Sequence, residues 1–128
     1  MNQLRIKQKA VENYIKAYNS FDIEGMLRDL HPNVVFKNIS NGEVNLTTEG
    51  KEAFQKQAKQ AKNLFREREQ SIRNIQFDDK QVTLEIDYKG VLAVDLPNGM
   101  KAGDTLALKG KTIFRFEEDK IVSIEDIS

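Results

Sequence analysis

Between Val82 and Leu96 the even positions Val82, Leu84, Ile86, Tyr88, Leu92, Val94 and Leu96 are all apolar, while the odd ones include Thr83, Glu85, Asp87 and Lys89. Period two over that length predicts a strand with one buried face. Gly90 lies mid-run, where a strong bend or bulge is expected. Pro97-Asn98-Gly99 supplies turn chemistry, and residues 105–116 resume the alternation. There Leu106, Leu108, Thr112, Phe114 and Phe116 take one face, and Lys109, Lys111 and Arg115 the other. Residues 72–77 and 120–127 predict two further strands, set off by Asp78-Asp79 and Glu117-Glu118-Asp119.

The first half of the chain repeats differently. Leu4, Val11, Tyr14, Ile15 and Tyr18 recur at helical spacing, with Lys7, Lys9, Glu12, Asn13 and Lys16 off that stripe. Asp22 predicts the N-cap of a short second helix over 23–30, which Pro32 ends. Val34-Val35-Phe36-Lys37-Asn38-Ile39 reads as a strand closed by Ser40-Asn41-Gly42. Thr48 predicts the cap of a third helix, whose buried stripe is Phe54, Ala58, Ala61, Leu64 and Phe65. The order is then helix, helix, strand, helix and four strands in antiparallel succession. Helices grouped before a meander indicate an α+β fold, with helices packed in the concave face of a strongly curved antiparallel or mixed sheet. Such a concavity is the usual geometry of a small-molecule pocket.

Composition narrows the function classes. The 128 residues suit one domain, 1–128. With no Cys, disulfides and thiol catalysis are excluded. One His excludes a multi-His zinc site, and no metal or cofactor is expected. Twenty basic and twenty acidic side chains cancel, giving no overall drive toward nucleic acid or anionic lipid. The basic side of the third helix lacks interleaved aromatics and reads as a solvated face. No apolar run approaches the ~18 residues of a membrane helix. Met1-Asn2-Gln3-Leu4-Arg5 lacks the apolar core of a signal peptide, so a cytoplasmic location is expected.

Several stretches, in this order, resemble the NTF2-like superfamily, in its SnoaL-like and ketosteroid-isomerase-like branch. They are Val11-Glu12-Asn13-Tyr14-Ile15-Lys16-Ala17-Tyr18-Asn19, then Phe21-Asp22-Ile23-Glu24-Gly25-Met26 and His31-Pro32-Asn33-Val34-Val35-Phe36. Next come Glu49-Gly50-Lys51-Glu52-Ala53-Phe54, Gly110-Lys111-Thr112-Ile113-Phe114-Arg115-Phe116 and Asp119-Lys120-Ile121-Val122. The resemblance implies a cone-shaped, cystatin-like α+β barrel with a deep apolar pocket, commonly a homodimer. Its known members include isomerases, polyketide cyclases, epoxide hydrolases, dehydratases and protein-binding modules, so the fold alone names no reaction.

The isomerase members use a carboxylate base, a tyrosine and a protonated aspartic acid. By resemblance the tyrosine falls on Tyr14, the base position on Asn38 and the second oxyanion donor near Thr112. An amide has no useful proton affinity at pH 7, so Asn38 cannot act as that base. His31 is expected to sit at a helix C-terminus, where the dipole favours it. The epoxide-hydrolase members need an Asp-Arg-Asp set that holds a water; Arg115 and Asp87 are available but fall on outward positions and make no such set. Asp126 shares the even face of the last strand with Val122 and Ile124. A carboxyl buried there would restore acid–base chemistry.

The leading expectation is a SnoaL-like protein binding a small hydrophobic ligand, with Tyr14, Asn38 and Thr112 as polar anchors. Tyr14, Tyr18, Phe36, Asn38, Phe54, Ile86, Tyr88, Leu108, Thr112 and Phe114 form the expected pocket, whose inner face is almost uncharged. One alternative is an isomerase, cyclase or dehydratase acting on a hydrophobic carbonyl compound. The other is a protein-interaction module with a residual pocket. The outer face, Thr83, Glu85, Asp87, Lys89, Val91, Ala93, Ala107, Lys109, Lys111 and Ile113, mixes both charge signs with small apolar residues and suits a two-fold homodimer contact.

Overall fold

The computed structural model describes residues 3–128. Met1 and Asn2, part of the N-terminal stretch read against a signal peptide, lie outside the described residues. The elements run α1 (Gln3–Asn19), α2 (Ile23–Leu27), β1 (Leu30–Ser40), β2 (Glu43–Glu49), α3 (Lys51–Lys62), β3 (Phe65–Phe77), β4 (Gln81–Leu92), β5 (Thr105–Glu117) and β6 (Lys120–Ile127). One six-stranded mixed sheet has the order β2-β1-β6-β5-β4-β3. All neighbours are antiparallel except β1 and β6, which run parallel. The sheet is open, with β2 and β3 as its edges, rather than a closed barrel. Leu46 of one edge and Arg68 of the other nevertheless line the same cavity, so the sheet curls around it.

The alternation over β4 and β5 converts directly into a core. Val82, Leu84, Leu92 and Phe114 are fully buried, with Ile86 and Phe116 nearly so. Val11, Tyr14 and Ile15 of α1 pack with all of these but Leu92, as do Phe54 and Ala58 of α3. Leu4, expected in the α1 stripe, is exposed, and Lys7, expected in solvent, is buried with its Nζ donating to the Asp79 carbonyl.

Several boundaries differ from the sequence reading. Helix α2 stops at Leu27, and Leu30, His31 and Pro32 already belong to β1. The extended geometry that Pro imposes on its predecessor serves a strand as well as it ends a helix. Strand β2 falls where no element was expected. Its residues are mostly exposed and polar, as suits an edge, and the two-residue turn Asn41-Gly42, both at positive φ, holds it to β1. Thr48 pairs with Phe36 inside β2 and caps nothing; α3 is entered through Gly50 at φ 89°. Leu64 is exposed beyond the helix, and Phe65 opens β3. That strand begins seven residues earlier than the apolar signal at Ile72. A register shift between Ile72 and Asn74 then moves the inward parity from Arg68 and Gln70 to Ile75 and Phe77. Val94 and Leu96 lie past the end of β4, and Val94 is exposed.

Gly90 is not a bulge: it pairs without interruption with Arg68 on one side and Leu106 on the other. A Cβ there would stand 2.8 Å from the Phe65 ring, so the missing side chain lets that ring lie on the strand. Gly110 is tighter, because its Cβ would stand 2.6 Å from the Ile127 carbonyl oxygen, a backbone atom. Gly110→Ala is expected to cost about 1–3 kcal/mol by forcing β5 and the end of β6 apart. A urea titration checks this: the midpoint falls while the slope is unchanged.

The outward positions of β4 carry paired charges. Arg73 Nε lies 2.9 Å from Asp87 Oδ1 and its Nη2 3.7 Å from Glu85 Oε1. Arg115 pairs with Glu125 at 3.3 Å. Arg115 and Asp87 are therefore each committed elsewhere and form no common set. Among the described residues, no helix is long and apolar enough to cross a membrane.

Candidate functional site

The curled sheet and its helices enclose a cavity of about 410 Å³. Tyr14 and Tyr18 reach it from α1, Phe54, Gln57, Ala58 and Ala61 from α3, and Phe36 and Asn38 from β1. Strands β3 to β6 add Phe65, Arg68 and Gln70, then Ile86 and Tyr88, then Leu106, Leu108 and Thr112, then Asp126 and Ile127. Of the expected pocket residues, Tyr14, Tyr18, Phe36, Asn38, Phe54, Ile86, Tyr88, Leu108 and Thr112 border this cavity. Phe114 does not: it is fully buried beneath it, its ring edge-on to Tyr14 at 5.4 Å. Its parity was inward, but the α1 stripe closes over it.

Aromatic rings form two groups. Phe36, Phe54, Tyr14 and Phe114 follow one another at 5.7, 6.4 and 5.4 Å between centroids. Tyr18, Tyr88 and Phe65 follow at 6.2 and 6.0 Å. Such tilted and edge contacts favour the ring quadrupoles and fix the side chains. Tyr18 and Tyr88 also share a hydrogen bond between their hydroxyls at 2.9 Å. Burial raises the Tyr14 hydroxyl well above the usual tyrosine value, and the Asp126 charge raises it further. Burial likewise raises Tyr18 and Tyr88. All three remain protonated donors at neutral pH.

The cavity is not uncharged, as its inner face was expected to be. Asp126 lies in register with Asn38 of β1 and Thr112 of β5, so the three form one row across the sheet. Thr112 Oγ1 donates to Asp126 Oδ1 at 2.8 Å. Burial pushes the Asp126 carboxyl up to about 6, and the Thr112 bond offsets part of that rise. Parity along β6 was the signal for this residue. Asn38, the odd polar residue on its face, contacts neither Tyr14 nor Thr112 in a hydrogen bond. Its Nδ2 donates to Asn45 Oδ1 of β2 at 2.9 Å, a partner hidden while β2 went unassigned.

Arg68 was missed altogether. It is 5% exposed and borders the cavity from β3. Its guanidinium lies 3.7 Å over the Tyr18 ring and 4.6 Å from that of Phe21, and Nε donates to the Tyr18 carbonyl at 2.9 Å. That carbonyl belongs to the last turn of α1, where a cation is favoured. Asn19 locks the same junction, exchanging bonds of 2.7 and 3.1 Å with the Gln70 backbone. His31 lies outside the site. It sits in β1 rather than at a helix end, its Nδ1 accepting from the Asn33 amide at 3.0 Å and its Nε2 3.8 Å from Glu117. Among the described residues, no cluster of three or more His, Asp or Glu is arranged to hold a metal.

The profile of the SnoaL-like domain matches residues 11–124. A search of curated protein sequences finds no match. Solved structures are similar over nearly the whole chain. A provisionally assigned polyketide cyclase from Xanthomonas campestris pv. campestris is 20% identical, with TM-score 0.81, covering 99% of this chain and 93% of its own. An uncharacterised cystatin-fold protein from Novosphingobium aromaticivorans is 19% identical, with TM-score 0.78 and coverages of 100% and 99%. An NTF2-like protein of unknown function from Burkholderia pseudomallei K96243 is 18% identical, with TM-score 0.77 and coverages of 98% and 90%. At these identities the likeness speaks for the fold alone. With the domain profile spanning all but the two ends of this α+β chain, the protein belongs to the SnoaL-like domain family, within the NTF2-like fold.

Proposed function

We propose that the cavity binds a small hydrophobic carbonyl compound and that Asp126 moves a proton on and off the carbon beside that carbonyl. The observation that carries this reading is the Asp126 carboxyl, placed against Thr112 within an otherwise mainly apolar and aromatic cavity. Held at about 6, it exists in both protonation states near neutral pH, which suits a group that must take a proton and return it. The carbon–hydrogen bond breaks toward a carboxylate oxygen of Asp126 and its electron pair moves onto the carbonyl oxygen. The same carboxyl then returns the proton to carbon. Tyr14, a neutral donor lining the same cavity from α1, and Asn38 are the groups that would orient the carbonyl. Asn38 itself is no base, so the chemistry lies one strand over from where the isomerase members carry theirs. The provisional cyclase assignment of the Xanthomonas structure agrees in class, since ring closure of a polyketide begins with such a proton removal.

The test uses 2-tetralone, a bicyclic aromatic ketone, in D₂O. Proton NMR is expected to show accelerated exchange of its α-hydrogens, with a rate that rises through about pH 6 as the carboxylate forms. Binding without acceleration would remove the acid–base role and leave a ligand-binding protein. Failure of any small ring compound to bind would remove the cavity assignment as well.

A further inference from the structure

We infer that the ligand of this cavity is an amphiphilic acid, whose anionic head group seats on Arg68 while its apolar body extends toward Thr112 and Asp126. The inference rests on the cavity as a binding site but not on the proton-transfer role of Asp126. Its first ground is an uncompensated charge. Arg68 is buried, and among the described residues no ion pair includes it. Its Nε is used by the Tyr18 carbonyl, but Nη2 is buried with no hydrogen-bond partner. A buried guanidinium lacking a carboxylate is costly, and the faces of Tyr18 and Phe21 repay only part of it. A planar fork with an unused donor matches a carboxylate or sulfonate.

The second ground is position. Arg68 pairs with Gly90 on β4, and Thr112 pairs with Leu84 on the same strand. The two lie six residues apart along β4, roughly 20 Å of extended strand, and the curl of the sheet brings their side chains onto one cavity. Between them stand the Tyr18–Tyr88 hydroxyl pair and Ile86. Asp126 pairs with Thr112 and so stands at the Leu84 end, away from Arg68, with Tyr14, Tyr18 and Tyr88 feeling both charges. A ligand anion at the Arg68 end would therefore avoid the Asp126 carboxylate and hold its body along the aromatic wall. A purely helix-capping role for Arg68 needs only Nε and leaves Nη2 unexplained.

Two dyes with nearly the same body separate these readings: the anion 8-anilinonaphthalene-1-sulfonate and the neutral N-phenyl-1-naphthylamine. Fluorescence titration is expected to show that Arg68→Gln weakens the anion about tenfold or more, the loss of a charge-assisted hydrogen bond, and changes the neutral dye less than about twofold. Arg68→Lys, which keeps the charge and loses the fork, should fall between. Near-UV circular dichroism verifies that each variant is folded. If the Gln variant does not fold, Arg68→Lys and the wild type decide: the anion must shift the Arg68 side-chain Nε–Hε NMR resonance, and the neutral dye must not. Equal weakening of both dyes, or no shift with the anion, overturns the inference while the cavity assignment stands. If neither dye binds the wild type, the cavity assignment falls and this inference with it.

Discussion

Phe114→Ala lowers the free energy of unfolding by about 3–5 kcal/mol, a large share of the 5–15 kcal/mol typical of a domain. The residue is 0% exposed. Its ring stands edge-on to Tyr14, and its strand position pairs with Val82 on one side and Ile124 on the other, both fully buried. Truncation leaves a hole that β4, β5 and β6 cannot close without breaking their ladders, so the cavity cost adds to the lost transfer energy. Leu108, on the same strand and the same parity, is the control: it is 44% exposed at the mouth of the cavity, and Leu108→Ala should cost less than about 1 kcal/mol. Urea titrations of the two variants check the difference. Similar losses at both sites would mean that Phe114 lines the cavity, as parity alone suggested, rather than supporting it from below.

The contrast between these two residues shows where the sequence was readable. Alternation located β4 and β5 because both bury one face against helices, so hydrophobicity tracks geometry residue by residue. It could not separate core from lining, since Phe114 and Leu108 carry the same parity and only α1 decides which is covered. The edges were opaque for a different reason. Phe65-Arg66-Glu67-Arg68-Glu69-Gln70-Ser71 is charged on both parities, because the inner positions of β3 hold the polar end of the cavity and the outer ones face solvent. With Phe65 at helical spacing from Ala61, the apolar pattern assigns Phe65 to the third helix and gives residues 66–71 no element. Counting back from Ile72 in twos would have turned Gln70 and Arg68 inward. Strand β2 has only Val44 and Leu46 as apolar residues, too few for a pattern, yet it supplies the Asn45 that holds Asn38. Asp126 was legible because β6 keeps a regular pairing with β5 from Lys111 to Arg115, which preserves parity.

Asp126→Asn is expected to stabilise the fold above pH 7 and to abolish the exchange chemistry, opposite effects of one nearly isosteric change. Burial holds the carboxyl at about 6, against 3.8 for the unburied group. The folded chain thus binds this proton more tightly than the unfolded chain. The resulting stabilisation is complete below about pH 3.8 and is lost as the pH rises through about 6. The gap corresponds to about 3 kcal/mol, carried by the wild type at pH 7.5 as the cost of a charge in the cavity. Asparagine has no charge to bury and can still accept from Thr112 through Oδ1. Urea titrations should therefore find the variant more stable at pH 7.5 by up to about 3 kcal/mol, with the advantage shrinking through pH 6 and gone near pH 3.8. A variant less stable at pH 7.5 would mean that the fold compensates the charge, and the raised carboxyl would be refuted. The amide cannot take the α-proton of 2-tetralone, so exchange should fall by about 10²–10⁴. Because the stability change runs the other way, that loss cannot be charged to unfolding. A group that weakens its own fold at working pH while lining the cavity proposed to bind the ligand is the pattern expected of a residue kept for chemistry rather than for structure.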